Sequence, residues 1–480
     1  MLNIEHDTPQ SRSPRPVEAG TGGAGAFTVT ALCALGAEKI CAAEIRALLR
    51  DEADGAHVSG SGFGRVTFTA NLAAVYRALF ALRTADRLLL RCAAFPAADF
   101  DELFDGIHQT ELERFVPATA GLVVEKVRTN RSRLAAETSI QAVAHKAAAQ
   151  RLCRVYGLDR LPDVDTAGIR CALRVYLEKD RAELLLDLSG DPLFKRGYRV
   201  QGGAAPLRET SAASVLLLSR WRRRYPLYDP FCGSGTIAIE AALYGCNLAP
   251  NLGRRFALDT LLIADAPLRE QVRQGLLARA DFSNPPRITA SDHDNALIAL
   301  AKANAAKAFS QSGAPPSALP VFYNQPASAA RSFSADCGFI VTNPPYGKRL
   351  GTIAEAEEGY KNMAALKPNF DGWKIVVVSD HAGFESFFGE KSDECGDLTN
   401  GNTRAYVYQF NGRAGTAEQG GGGKKDGGAK KDGGLRRGPV TDRAPPGTAP
   451  RPLSAPPPSA GTPPGAGTEP PPPREKKYTW

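Results

Sequence analysis

The sequence predicts two folded blocks: an α+β module over residues 27–190, then a doubly wound, mostly parallel α/β domain over residues 191–413. Disordered ends flank them at 1–26 and 414–480. Three observations carry this reading. Short strands and helices mix with hairpin signals in the first block, whereas apolar strands each followed by an Ala-rich helix recur in the second. The tail runs from "GGGGKKDGGAKKDGGLRRG" into "PPPSAGTPPGAGTEPPPPREKK", with almost nothing apolar to anchor a core.

The leader is polar, carries Gly and Pro, and lacks periodicity, so it is expected to be flexible. The front module then reads as strand "FTVTALC", helix "GAEKICAAEIRALLR", turn-rich "SGSGFGRVTFT" and helix "NLAAVYRALFAL". After these come strand "GLVVEKVRT", a long helix from about Leu134 to Tyr156, and paired strands "IRCALRVYLEKD" and "AELLLDLSG".

Composition narrows the class of function. Of the formal charge of +8, the tail contributes +5 and the leader −1, which leaves +4 for residues 27–413. The folded part is therefore only mildly basic, compatible with transient contact with nucleic acid. Nine cysteines sit singly with no CxxC spacing, a poor basis for a disulfide framework or a zinc site, and the six histidines form no HExxH pair. No metal is expected. No apolar run has the length of a signal peptide or membrane span, so the expected location is the reducing cytoplasm.

In the second block, "PLYDPFCGSGTIAIEAALYG" is a strand, a tight glycine turn and an apolar helix. Gly233 and Gly235 let the backbone approach a ligand, and the helix N-terminus offers free N–H groups to an anion. The segment lacks the Lys-Ser/Thr of a phosphate-binding loop. Residues 233–238 satisfy GxGxxA, so a dinucleotide site is one reading, but no strand ending in an acid follows at about 20 residues. The next convincing strand, "RITASD", ends in Asp292, whose carboxylate suits a ribose diol. A nucleoside without pyrophosphate follows, and S-adenosylmethionine fits: its α-carboxylate would meet the helix N-terminus, with Asp229 near its amino group.

The tripeptide NPP occurs twice, and strand polarity separates the copies. Ligands of open parallel sheets bind outside the carboxyl ends of the strands. Asn284-Pro285-Pro286 precedes "RITASD" and so lies at an amino end, as a turn. Asn343-Pro344-Pro345-Tyr346 follows the apolar strand "CGFIVT" and lies on the edge of the glycine loop. An exocyclic base amine is a poor nucleophile because its lone pair is delocalised into the ring. Two acceptors, the Asn343 side-chain oxygen and the Pro344 carbonyl, would hold its N–H groups and favour the pyramidal nitrogen. Tyr346 offers a flat face for a base that has left its helix. Since a sulfonium methyl is already electrophilic, positioning supplies most of the catalysis.

With "GDPLFKRGYRVQGGAAPLRETSAASVLLLSRW", "LYDPFCGSGTIAIEAA", "ASDHDNALIALAKANA", "FIVTNPPYGKRLG" and "NGNTRAYVYQF" in this order, the chain resembles the THUMP-domain class I methyltransferases over roughly residues 27–410. Within them it is similar to the large-subunit ribosomal RNA guanine-N2 methyltransferases and their stand-alone bacterial relatives, often labelled N6-adenine methylases. The resemblance implies a THUMP module that binds structured RNA and a Rossmann-like domain that binds S-adenosylmethionine. It carries cofactor roles to Asp229, Gly233, Gly235 and Asp292, with Phe231, Cys232, Ser234 and Thr236 in the same loop, and target-amine roles to Asn343 through Tyr346. Where relatives usually place an acid against the adenine, this chain has Asn324. Candidate RNA contacts are Lys126, Arg128, Arg131 and Arg133, expected in a strand-to-helix loop, and Lys195 and Arg196 in "FKRGYR", which otherwise pair with nearby acids.

The expected activity is methyl transfer to an exocyclic amine of ribosomal RNA, guanine-N2 of 23S rRNA first. Adenine-N6 methylation, in RNA or DNA, and a non-catalytic RNA-binding assembly factor are the alternatives.

Overall fold

In the computed structural model, which describes residues 18–19, 21–22, 25–50, 57–200, 207–333, 337–345, 353–400 and 403–412, ordered pairing starts inside the expected leader. Two-residue strands at Glu18–Ala19 (β1) and Thr21–Gly22 (β2) pair with the front sheet. The tail from residue 413 onward lies outside the described residues.

The front module continues with Ala26–Cys33 (β3), Glu38–Leu48 (α1), His57–Gly62 (β4), Arg65–Ala70 (β5), Leu72–Ala81 (α2), Ala85–Pro96 (β6) and Phe100–Gln109 (α3). It closes with Gly121–Asn130 (β7), Glu137–Tyr156 (α4), Arg170–Glu178 (β8) and Arg181–Asp187 (β9). The strands join one sheet in the order β4-β5-β3-β6-β9-β8-β7, antiparallel except between β7 and β8. Local chemistry sets the helix starts: Asn71 and Asp99 cap α2 and α3 by accepting from Ala74 N–H at 2.9 Å and Glu102 N–H at 2.8 Å. Two central elements, β6 and α3, were not expected from the sequence. β6 lies between β3 and β9 with Leu88, Leu89 and Leu90 all fully buried, so it shows a continuous apolar run rather than alternation.

The second block runs Glu209–Leu218 (α5), Leu227–Asp229 (β10), Thr236–Gly245 (α6), Ala266–Ala278 (α7), Ile288–Asp292 (β11), Asn295–Phe309 (α8) and Val321–Asn324 (β12). Phe339–Thr342 (β13), Ile353–Met363 (α9), Leu366–Asn369 (α10), Lys374–Ser379 (β14), Phe384–Phe388 (α11), Glu394–Asn400 (β15) and Thr403–Phe410 (β16) complete it. Its sheet order is β12-β11-β10-β13-β14-β16-β15, parallel from β12 to β14 and antiparallel in the last hairpin. The chain winds outward in both directions from β10 and β13. A crevice therefore opens between their carboxyl ends.

One continuous apolar core joins the blocks, from Val29 of β3 through Ile237 of α6 to Val407 of β16. At its polar centre stands Arg196, which sequence placed among the RNA contacts. The structure corrects this: the side chain is fully buried. Its guanidinium donates to the carbonyls of Arg83 (2.6 Å) and Leu193 (2.9 Å) and faces Glu240 of α6 at 3.5 Å. Tyr198 O–H donates to the same Glu240 carboxylate at 3.3 Å. Arg83, just past α2, donates to Leu248 O at 2.8 Å, and burial lowers its pKa to about 10. Lys195 instead reaches solvent and pairs with Asp191 at 2.9 Å.

Removing one member of a buried ion pair strands the other, at about 3–5 kcal/mol. Arg196→Ala is therefore expected to lower the urea midpoint sharply, whereas Lys195→Ala leaves it almost unchanged. Equal midpoints for the two variants would refute the junction role of Arg196.

Candidate active site

Four strand ends converge on the crevice. Asp229 closes β10, Asp292 closes β11 opposite Asn324 of β12, and Thr342 closes β13. The loop after β10 then turns through Gly233 (φ 51°) and Gly235 (φ 85°) into α6. A Cβ on Gly235 would come within 3.0 Å of the Ala301 methyl group and 3.1 Å of the Phe322 ring, so this position needs glycine for both conformation and space. At Gly233 a Cβ would meet nothing within 4 Å, which leaves its outer side open to a ligand. No side chain caps the first turn of α6, so its leading N–H groups face the crevice without a protein acceptor from the cap residue.

Asp292 supports this loop by accepting from Gly233 N–H at 3.0 Å and Asp294 N–H at 3.0 Å, one on each carboxylate oxygen. Oδ2 keeps a lone pair for a hydroxyl, whereas Oδ1 also faces His293 Nδ1 at 3.3 Å. Asn324 donates its amide hydrogens to the carbonyls of Asp292 (3.2 Å) and His293 (2.9 Å), which leaves its oxygen as an acceptor beside them. Asn304 of α8 ties Ser234 O at 3.1 Å. Thr236 accepts from Arg199 at 3.3 Å, and Arg199 is itself fixed by Glu209 at 2.6 Å. Phe231 is half-buried, and the Cys232 thiol, held far above its ordinary pKa mainly by burial, is no nucleophile at neutral pH.

Asp229 is 1% exposed. It accepts from the Thr342 hydroxyl at 2.7 Å and Phe231 N–H at 3.2 Å. Burial raises its pKa to about 7, against the lowering effect of those two bonds, and the neighbouring Asp292 charge raises it further. Thr342 is the residue before Asn343, so one hydrogen bond joins the glycine-loop strand to the second NPP copy. Among the described residues Asn343 Oδ1 is shielded from solvent and finds no hydrogen-bond donor, an orphan acceptor directly after β13. Pro344 is buried and Pro345 half-buried. Tyr346, expected to stack on the target base, lies outside the described residues. The first copy sits at the opposite end of the sheet, where a Cβ on Gly245 would meet Pro286 at 2.2 Å, so the proline ring packs flat on the end of α6.

Thr342, Arg199 and Asn304 were not singled out from the sequence. Thr342 was legible, since it stands between the strand and Asn343. The other two approach the loop from distant segments. Of the expected RNA contacts, Lys126 and Arg128 lie within β7 rather than in a loop, Arg131 takes φ 49° in the turn that follows, and Arg133 pairs with Asp180 at 3.3 Å.

Residues 196–409 match the family described as "RMKL-like, methyltransferase domain", and residues 28–89 match the "RlmL ferredoxin-like domain". A Bacillus subtilis relative, "Putative RNA methyltransferase YpsC", is 33% identical over 387 residues, 80% of this chain and 96% of its own length. A "Ribosomal RNA large subunit methyltransferase K/L" of Syntrophotalea carbinolica is 30% identical over 396 residues, 78% of this chain. This chain spans only 52% of that relative. The solved structure of "SMU.472, a putative methyltransferase complexed with SAH" superposes with a TM-score of 0.71 at 30% identity, covering 81% of this chain and 99% of the other.

In the ligand-free protein the folded state holds a proton on Asp229 that the unfolded chain has released between the ordinary value of 3.8 and about 7. This group's contribution to stability is full below that window and is lost as pH rises through about 7. Subtracting the Asp229→Asn variant should isolate a fall of about 1.4 kcal/mol per pH unit across the window. Parallel stability–pH curves from urea titrations of both proteins would contradict the raised pKa.

Proposed function

As the chain belongs to the family of S-adenosylmethionine-dependent methyltransferases built on the RMKL-like domain, we propose that it methylates an exocyclic base amine of ribosomal RNA, guanine-N2 of the large subunit. The observation that carries this is the orphan oxygen of Asn343, held beside the glycine loop by the Thr342–Asp229 hydrogen bond. Among the described residues, no cluster of three or more His, Cys, Asp or Glu side chains is arranged to hold a metal.

The residues fit the cofactor. The uncapped start of α6 suits its carboxylate, Asp229 its ammonium, Asp292 its ribose, and the open flank of Gly233 its close approach. When bound, the cofactor supplies a methyl group on sulfonium sulfur, so the chain needs no nucleophilic side chain. Asn343 Oδ1 then gains the partner it lacks by accepting from the target amine N–H. It is neutral and takes no proton, so the proton that the nitrogen loses once it carries the methyl group goes to solvent; the work of Asn343 is to fix the nitrogen with its lone pair directed inward. Desolvation favours this pairing, because an acceptor already stripped of water has no hydration left to lose. Asp229 must be ionised to attract an ammonium, so cofactor affinity is expected to weaken as pH falls below about 7.

Incubation with labelled S-adenosylmethionine and unmodified ribosomal RNA, followed by nucleoside mass spectrometry, should yield N2-methylguanosine. Label in N6-methyladenosine alone would replace guanine with adenine as the target. Cofactor binding with no transfer to any RNA would favour the assembly-factor alternative. Asn343→Ala should reduce turnover by about 10²-fold or more, the scale of losing one transition-state hydrogen-bonding group, while cofactor binding is retained. Asn284→Ala should transfer methyl groups at the wild-type rate.

A further inference from the structure

S-adenosylmethionine ends in a zwitterion, an ammonium and a carboxylate on one carbon, so a crevice that grips it must present both signs of charge. The strand ends present one: Asp229, Asp292 and the following Asp294 are all acids. The positive partner comes from the segment that joins the two blocks. Arg199 reaches the first residue of α6, where its Nη2 donates to Thr236 Oγ1 at 3.3 Å. The same nitrogen donates to Leu207 O at 2.7 Å, and Nε pairs with Glu209 at 2.6 Å. A guanidinium carries five N–H groups. Three are spent in this way, and no described residue accepts from the two on Nη1.

The arginine is held in place from several sides. Glu209 is 4% exposed and Arg199 22%, so the pair is shielded from most of the water that would screen it. At the next residue, Val200 N–H donates to Asn304 Oδ1 at 2.9 Å, and Asn304 Nδ2 donates to Ser234 O at 3.1 Å. One buried amide therefore ties the backbone beside Arg199 to the glycine loop. Thr236, having accepted from Arg199, keeps its hydroxyl hydrogen to donate. These groups stand at the uncapped start of α6. We infer that Arg199 is a cofactor-binding residue: its Nη1 donates to the α-carboxylate of S-adenosylmethionine, together with the Thr236 hydroxyl and the leading N–H groups of α6. Asp229 takes the ammonium from the other end of the loop. A purely structural tie from α5 to α6 would use Glu209 and Thr236 and leave Nη1 without work. The inference rests on the cofactor reading of the crevice and is independent of which base is methylated.

The test uses the full chain, titration calorimetry and two ligands that differ at one end. S-adenosylhomocysteine keeps the carboxylate and the ammonium, whereas 5′-methylthioadenosine has the same nucleoside and sulfur but no amino-acid arm. Arg199→Gln should weaken S-adenosylhomocysteine binding by about ten- to a hundredfold, the scale of losing hydrogen bonds to a charged group, and leave 5′-methylthioadenosine binding unchanged. Arg199→Lys, which keeps the charge without the fork, should fall between the wild type and Arg199→Gln. An Arg199→Gln protein that binds both ligands as the wild type does overturns the inference. Equal weakening of both ligands also overturns it, because Arg199 then acts only by holding α6. Should Arg199→Gln not fold, Arg199→Lys is read by the same comparison. A wild type that binds neither ligand removes the cofactor reading beneath the inference, whereas the other two failures leave methyl transfer to RNA standing.

Discussion

The buried pairing of Arg196 with Glu240 is the constraint on which the remaining geometry rests. A charged guanidinium in an apolar interior is tolerable only if its donors find acceptors. Here they come from both blocks: Leu82 and Arg83 of the front module, Leu193 of the connection, and Glu240 and Asn251 of the second block. Glu240 lies one turn into α6, the helix that starts at the glycine loop. Arg199, three residues after Arg196, grips Thr236 at the first turn of that helix. "FKRGYR" thus sets the position of α6 from two points, and the loop at its head inherits that position.

The second block was the more legible of the two, for a physical reason. Its strands end in, or run straight into, residues of unusual type, Asp229, Asp292 and Asn343, and the sheet is parallel from β12 to β14, so strand polarity assigns each end to an edge. The two NPP copies show how far this goes: identical in sequence, one packs Pro286 on Gly245 and the other presents an orphan oxygen. In the front module the signals are weaker. β6 is buried without alternation and gives no strand period, and the two-residue β1 pairs with β6 from a remote part of the chain.

Charge was the least legible property. Arg196 and Lys195 are adjacent, and composition treats them alike. One is buried against a carboxylate, and the other reaches solvent beside Asp191. Only the folded environment separates them, because burial depends on which element packs above the residue. The same holds for Asp229, an ordinary carboxylate in sequence that burial moves into the neutral range.

The shared core from Val29 to Val407 has a further meaning. Modules joined by a linker search space independently, and the span between them fluctuates. Here the front sheet and the second sheet are parts of one body, so the distance from the front sheet to the crevice between β10 and β13 is a fixed length. On the proposed reading the protein works as a ruler. A target base is then selected by its distance from whatever RNA the front module holds as well as by its identity.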